Sequence, residues 1–207
     1  MHLYKPEINK GFGFEVETCC GAISYSNQWN PNWPDFYFER RLRRLVNMLK
    51  SEELKKLFET LILKKSEFFE GLEITPAIGR SRWKSSLYKI RLGNTGFFYK
   101  TLHIFLDFWL VHGDMWSGNF AMTPSGQPAL YDPGSFWGHH EFEFGMIDLF
   151  GNLGSDFFRG YRSLIPESPG FSKRRKLYKL FHLLNHWALF GSSYKNSSLS
   201  LIKLLVQ

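Results

Sequence analysis

The chain has 207 residues and a net charge of +7, with aromatic residues at 18% and Phe alone supplying 21 positions. That length accommodates one substantial core, and so aromatic a composition excludes an intrinsically disordered chain. No run approaches the ~20 uninterrupted apolar residues of a membrane span.

The most apolar stretches, 96–111 and 177–191, are broken by Lys100, His103 and Asp107 or by Lys179, His182, Asn185 and His186. MHLYKPEINK has no apolar core of a signal peptide. Cys19 and Cys20 are adjacent, which suits neither an ordinary disulfide nor a CxxC metal clip. A reducing, cytoplasmic setting without a membrane partner is the expectation.

The positive charge is local. Arg80, Arg82, Lys84, Lys89, Arg91 and Lys100 face Asp107 alone between Ile78 and Trp109, which leaves only +2 for the remainder. A basic segment of this kind argues against a nucleic-acid-binding domain, although binding through 78–109 stays open as an alternative.

In chain order, the first 32 residues are rich in Gly, Asn and Pro and read as irregular, with Phe12 to Val16 a short strand. From Trp33 the pattern turns helical: Phe38, Leu42, Leu45 and Leu49 recur at helical spacing, with Arg40, Arg41, Arg43 and Arg44 on the other sides. Ser51 suits the N-cap of a second helix through Leu54, Leu57, Phe58 and Leu61. Within 78–109, SRWKSSLYKIRLGNTG (81–96) has no sustained helical period and suits a loop or hairpin, followed by an apolar stretch whose type stays open. Beyond Asp132, helices are expected at about 143–151, 173–190 and 197–206, with Pro166, Pro169 and Gly170 punctuating the gap before the second.

LVHGDMWSGNF (110–120) carries the chemistry. Phosphoryl transfer needs a positioned hydroxyl, an acceptor for its proton and Mg²⁺ on the phosphates of ATP; kinase-like enzymes place an Asn metal ligand five residues after the Asp base. Asp114 and Asn119 have that separation. Short strands at 120–123 and 129–131 flank TPSGQP, and a tight turn at Ser125-Gly126 would pair Asn119 with Asp132. Both would then meet at the open end of the hairpin as a shared Mg²⁺ site. Pro128 removes one ladder donor from that hairpin. Either carboxylate alone would also suit a turn cap; the triple is the more demanding pattern.

HGDMWSGN with LYDPGSFWGH resembles the catalytic loop and metal-binding segment of the fructosamine-3-kinase family, also called ketosamine or protein-ribulosamine 3-kinases, within the aminoglycoside- and choline-kinase-like group of the protein-kinase-like fold. The similarity continues through GFGFEVETCCG (11–21), NPNWPDFYFERRLR (30–43), LFG (149–151), PGFSKRRKLYKLFHLLNHWALFGSSY (169–194) and Ser197 to Leu199.

The resemblance implies an α+β, mainly helical C-terminal lobe of a protein-kinase-like fold, with a small metal-site β-hairpin. It implies ATP-dependent phosphorylation of the 3-hydroxyl of fructosamine or ribulosamine adducts, on glycated protein or as small ketosamines: a deglycation kinase. Asp114 matches the catalytic base, and Asn119 and Asp132 match the Mg²⁺ ligands that also hold the nucleotide. Trp116 would stack on the sugar or glycated amine, or serve as a core aromatic; both readings stay open. His112 reads as scaffold and Glu143 as an anchor of the loop. His139, His140 and Glu141 read as structural rather than as a zinc site, and His182 and His186 as packed or substrate-lining.

Two departures stand against the pattern. Only about ten residues precede GFGFEVET, and Val16 stands where a third Gly of a GxGxxG turn would fall. The N-terminal nucleotide-binding lobe is thus expected to be largely missing, exposing apolar surface near 11–30 and beside the catalytic loop, and the chain alone to be weak or inactive. Residues 78–109 also intervene where the family runs almost directly into the HGD loop. The resulting divisions are 1–32, an interlobe-like segment; 33–77 and 110–207, the kinase-like lobe; and 78–109, an atypical basic insertion whose simplest source is retained non-coding sequence or a variant transcript. A non-catalytic fragment that binds sugar-amines is the competing reading.

Overall fold

In the computed structural model, residues 10–72, 109–151 and 153–207 are described in full, and residues 84–92 and 96–104 as backbone alone. The fold is α+β and mainly helical, with four two-stranded antiparallel sheets among the described residues.

Phe12 to Val16 is not a strand. Phe12 and Gly13 form isolated bridges, to Asn30 and Trp137, while the strands fall at β1 (Thr18–Cys20) and β2 (Ile23–Tyr25). Gly11 and Gly13 have positive φ, so the backbone there turns from one partner to the next rather than running on as a ladder.

The helical stretch begins where expected. Asn32 caps α1 (Trp33–Phe36) by accepting from the Asp35 amide at 2.9 Å, and Pro34 occupies the first turn, where a missing N–H costs nothing. The helix then widens into a π-turn, Tyr37–Leu42, before resuming as α2 (Arg43–Leu49). Phe38, Leu42 and Leu45 are buried as their spacing predicts.

Arg41 is buried too, contrary to its expected outward place. It donates to Asn27 Oδ1 at 2.6 Å and Ser26 O at 3.0 Å, and its guanidinium lies 4.1 Å from the Phe136 ring centre. The extra residue per turn of a π-segment rotates later side chains about the axis, which a strict helical count does not anticipate. Burial pulls the Arg41 pKa down to about 9, with the hydrogen-bonding and aromatic shell holding the cation in place.

Ser51 caps α3 (Glu52–Leu63) through a 3.3 Å bond from the Leu54 amide, and Leu54, Phe58 and Leu61 face the core. The irregular segment that follows is a hairpin of β3 (Lys84–Leu92) and β4 (Gly96–Ile104), in agreement with its lack of helical period. The side chains that carry its basic charge lie outside the described residues.

β5 (Trp109–Val111) leads into the HGD loop and pairs with β8 (Phe136–Gly138); between them lies the hairpin of β6 (Phe120–Met122) and β7 (Pro128–Leu130). Three of the closing helices agree with expectation: α4 (Glu143–Phe150), α6 (Phe171–Phe190) and α7 (Lys195–Leu205). A fourth, α5 (Gly154–Leu164), has no counterpart among the expected elements. It buries no residue fully and rests Phe157, Phe158 and Tyr161 on a small cluster around Phe144, Ile147 and Phe171. Its apolar residues Phe157, Phe158 and Tyr161 do recur at helical spacing on one face, a signal that the expected elements leave out.

The core gathers around α6, which is buried on most sides between Leu177 and Trp187. Trp33 Nε1 donates to the Tyr178 hydroxyl at 2.9 Å, and the Tyr37 hydroxyl donates to Leu177 O at 2.7 Å. Burying each such aromatic contributes on the order of 1.5–3 kcal/mol, and these bonds satisfy the polar tips that would otherwise oppose it. Arg174 of α6 forks onto Glu141 at 2.6 and 2.8 Å with both side chains out of solvent, tying the segment after β8 to the central helix.

Candidate active site

The HGD turn is held from below. Glu143, at the start of α4, accepts hydrogen bonds from the His112 amide and, at 3.3 Å, from the Gly113 amide. Burial raises its carboxyl pKa to about 7, while the two amide donors act to lower it. This is the anchoring role expected for Glu143. The Asp114 amide donates to His112 Nδ1 at 3.4 Å, leaving Nε2 to donate to Tyr131 O at 3.0 Å. His112 therefore braces the loop against the hairpin, as scaffold. Gly113 has φ +84°, and a Cβ there would lie 2.5 Å from Gly134 O, so a side chain is excluded by both backbone and space.

Asn119 is buried and donates through Nδ2 to Asp114 O at 2.9 Å and Asp114 Oδ2 at 3.1 Å. With the amide nitrogen committed, the amide oxygen is the atom left to ligate a cation. Burial raises the Asp114 pKa; the Asn119 hydrogen bond and the nearby His112 and His186 oppose that, and the charge of Asp132 adds to it. A carboxylate of raised proton affinity is a better proton acceptor than a free one.

The hairpin register differs from the sequence count by one residue. Phe120 pairs with Leu130 and Met122 with Pro128, and the Tyr131 amide donates to Asn119 O at 3.2 Å, so Asn119 stands opposite Tyr131 rather than Asp132. The cause is the turn. Gly126 N donates to Thr123 O at 2.8 Å and Thr123 N to Gln127 O at 2.8 Å, enclosing a three-residue loop with Gly126 at φ +76°, instead of a two-residue turn. A one-residue slip reverses which face each side chain takes. Asp132, one residue further on, leaves the ladder with φ +52°, a conformation an Asp tolerates better than most side chains. Asp132 is exposed, and its charge reaches Asp114. Two carboxylates and an amide oxygen are hard donors of the type that Mg²⁺ takes.

Trp116 is half-buried: its ring meets Phe150 edge-on at 6.1 Å and lies so close over Gly118 that a Cβ there would sit 2.3 Å from it. Phe120, Met122 and Leu130 on the hairpin are exposed, which agrees with apolar surface beside the loop; within 11–30, Val16 is the large apolar side chain that is exposed.

The full chain, residues 1–207, matches the sequence model of a family described as fructosamine kinase. The chain belongs to the fructosamine kinase family. It is 38% identical to the ketosamine-3-kinase of Mus musculus over 196 residues, covering 93% of this chain and 53% of that protein. It is 33% identical to the chloroplastic protein-ribulosamine 3-kinase of Arabidopsis thaliana, over 95% of this chain and 51% of that protein. The chain thus spans about half the length of the curated relatives it matches. Two crystal structures described as fructosamine-3-kinases share its fold: one from Thermobifida fusca, with TM-score 0.66 and 23% identity over 95% of this chain and 59% of that one, and one from Haemophilus somnus, with TM-score 0.69 and 18% identity over 96% and 57%.

Against that family frame, His139, His140 and Glu141 are structural in their contacts although their donor atoms lie within 4.8 Å of one another. The Tyr178 hydroxyl, which accepts from Trp33, bonds His139 Nδ1 at 2.8 Å; Tyr161 bonds His140 Nδ1 at 2.6 Å; Glu141 is taken by Arg174. Burial drives both imidazole pKa values down, that of His140 to about 4, with the Arg174 cation acting in the same direction. Sequence reasoning missed a second convergence, of Cys20 and His182 on Asp114. They stand 94 and 68 positions from it in the chain, and no local spacing signals the approach. Among the described residues, no helix is long and apolar enough to cross a membrane.

Proposed function

We propose that the chain is the acceptor-side, C-terminal lobe of an ATP-dependent ketosamine 3-kinase that acts on fructosamine or ribulosamine adducts of protein amines. The observation that carries this is the direct coupling of Asn119 to the Asp114 carboxylate, with Asp132 close enough to act on it electrostatically. Asp114 orients the sugar 3-hydroxyl and takes its proton as that oxygen bonds to the γ-phosphorus of ATP and the bond to ADP breaks. Asn119 and Asp132 would hold Mg²⁺, which when bound supplies positive charge to the phosphates. Trp116 offers an apolar plate for the sugar-amine. Glu143 and His112 keep the loop in the geometry that transfer requires.

The half-length match to the relatives supports a further part of the reading. The glycine-rich phosphate cover and strand lysine of kinase-like enzymes are not recognisable in these residues, so the chain by itself transfers phosphate weakly or not at all. Residues 1–32 act as the interlobe segment, 33–77 and 110–207 as the lobe proper, and 78–109 as an insertion in it. The free Cys19 and Cys20 fit a reducing cytosolic setting. Incubating purified chain with Mg²⁺-ATP and a fructosamine or ribulosamine tests both parts. Robust turnover abolished by Asp114→Asn supports the base and overturns the weakness. Sugar-amine binding that persists with no turnover, unaffected by Asp132→Ala, supports the non-catalytic fragment instead.

A further inference from the structure

Behind the Asp114 carboxylate lie two side chains, Cys20 and His182, that phosphoryl transfer does not use. One donor atom each from Cys20, Asp114 and His182 lies within 4.8 Å of the other two. They converge from the end of β1, the loop after β5 and the middle of α6. Cys20 is 7% exposed and His182 is fully buried. Among the described residues, neither ring nitrogen of His182 has a hydrogen-bond partner, and Asp114 Oδ1 has none. Buried polar atoms are nearly always paired, and an imidazole and a carboxylate oxygen left unpaired side by side ask for a third party between them.

We propose that Cys20, Asp114 and His182 form a binding site for one thiophilic divalent cation of the zinc class. Sulfur, imidazole nitrogen and a single carboxylate oxygen are a borderline-soft donor set, suited to Zn²⁺ and poor for Mg²⁺ or Ca²⁺. Zn–S of ~2.3 Å and Zn–N or Zn–O of ~2.0–2.2 Å put tetrahedral donors roughly 3.3–3.8 Å apart, so side-chain adjustments of about 1 Å close the site.

An outer shell is already in place: Asn185 Nδ2 donates to Cys20 Sγ at 3.3 Å and is itself fixed by the Tyr25 hydroxyl on its Oδ1 at 2.6 Å. Burial and then the Asp114 charge push the Cys20 thiol pKa up, with the Arg41 cation opposing them, so the thiol gives up its proton only as the metal binds. On binding, the Cys20 S–H bond gives its proton to solvent as the S–metal bond forms, uncharged His182 donates a nitrogen lone pair, and water fills the fourth position; nothing is oxidised or reduced. The ion takes Oδ1 of Asp114 while Asn119 keeps Oδ2, so its presence would withdraw half of the carboxylate from proton transfer. That consequence rests on the reading of Asp114 as the base; the binding does not.

Titrating the reduced, metal-free full chain with Co²⁺ tests the site without any phosphotransfer assay. One Co²⁺ per chain is expected, with a near-ultraviolet thiolate-to-metal band and the visible bands of a tetrahedral centre, displaced by Zn²⁺. Cys20→Ser, close in volume, should remove the thiolate band and Cys19→Ser should keep it, each checked for an unchanged far-ultraviolet spectrum. His182→Gln should weaken binding about tenfold or more. Absence of the thiolate band in the unaltered chain, or a band that survives Cys20→Ser, would overturn the proposal. A chain that binds Co²⁺ with this signature yet never transfers phosphate keeps the site and loses the kinase reading instead.

Discussion

The side-chain amide of Asn119 spans both the backbone and the carboxylate of Asp114, bonding the carbonyl oxygen at 2.9 Å and Oδ2 at 3.1 Å. One residue therefore sets the rotamer of the carboxylate and the direction of its own remaining oxygen.

Removing that bridge should damage chemistry more than folding. Asn119→Ala is expected to cost about 1–3 kcal/mol of stability, the ordinary loss for a buried hydrogen-bonding group that leaves its partner unpaired. Phosphotransfer, measured on the chain together with whatever supplies its nucleotide cover, should fall at least about a hundredfold. Activity surviving within a factor of two would refute the roles given to both residues.

Gly113→Ala should act through the backbone. Its φ of +84° and the 2.5 Å approach of a Cβ to Gly134 O leave no relaxed position for a methyl group. Strain of about 1–3 kcal/mol is expected. A urea melt that matches the unaltered chain would show that the turn accommodates a side chain after all.

Glu141→Ala strands Arg174 as an uncompensated buried cation. Breaking such a pair costs roughly 3–5 kcal/mol, so the variant should lose much of its cooperative urea transition. Replacing both partners, Glu141→Leu with Arg174→Met, should recover stability relative to the single change. Failure of the double variant to recover would assign the loss to packing and not to charge.

Acid should destabilise the fold through His140. Burial and the Arg174 cation lower its folded pKa from 6.5 to about 4, so its contribution is present above pH 6.5 and is lost as pH falls through about 4. The gap corresponds to about 3 kcal/mol. Glu143 works in the opposite sense: its pKa is raised from 4.5 to about 7, so it contributes below pH 4.5 and loses that contribution as pH rises through 7. Comparing unfolding free energies of the chain and His140→Gln at pH 7 and pH 4 cancels the Glu143 effect. Equal pH dependence in the two proteins would rule out His140 as the acid-sensitive group.

Local chemistry was legible wherever one segment contains its whole cause. Ser51 at a helix start, the apolar period of 38–45, and the Asp114–Asn119 spacing each act within a few residues, and each feature is found in the fold. Misreadings began where the count of residues depends on backbone state. A π-segment turned Arg41 inward, and an αL Gly126 moved the hairpin register by one, because each inserts a residue that a regular period does not contain. Helix α5 was overlooked although Phe157, Phe158 and Tyr161 share one face; that face covers only a satellite cluster.

The amino-acid order by itself determined the family pattern, the loop that bears Asp114 and the helices whose apolar faces repeat. Only the tertiary structure decided that Cys20 and His182 stand behind that carboxylate and that Glu141 belongs to Arg174. Those meetings depend on how distant elements pack, and packing is set by the shape and burial of whole surfaces, which no short window of sequence contains.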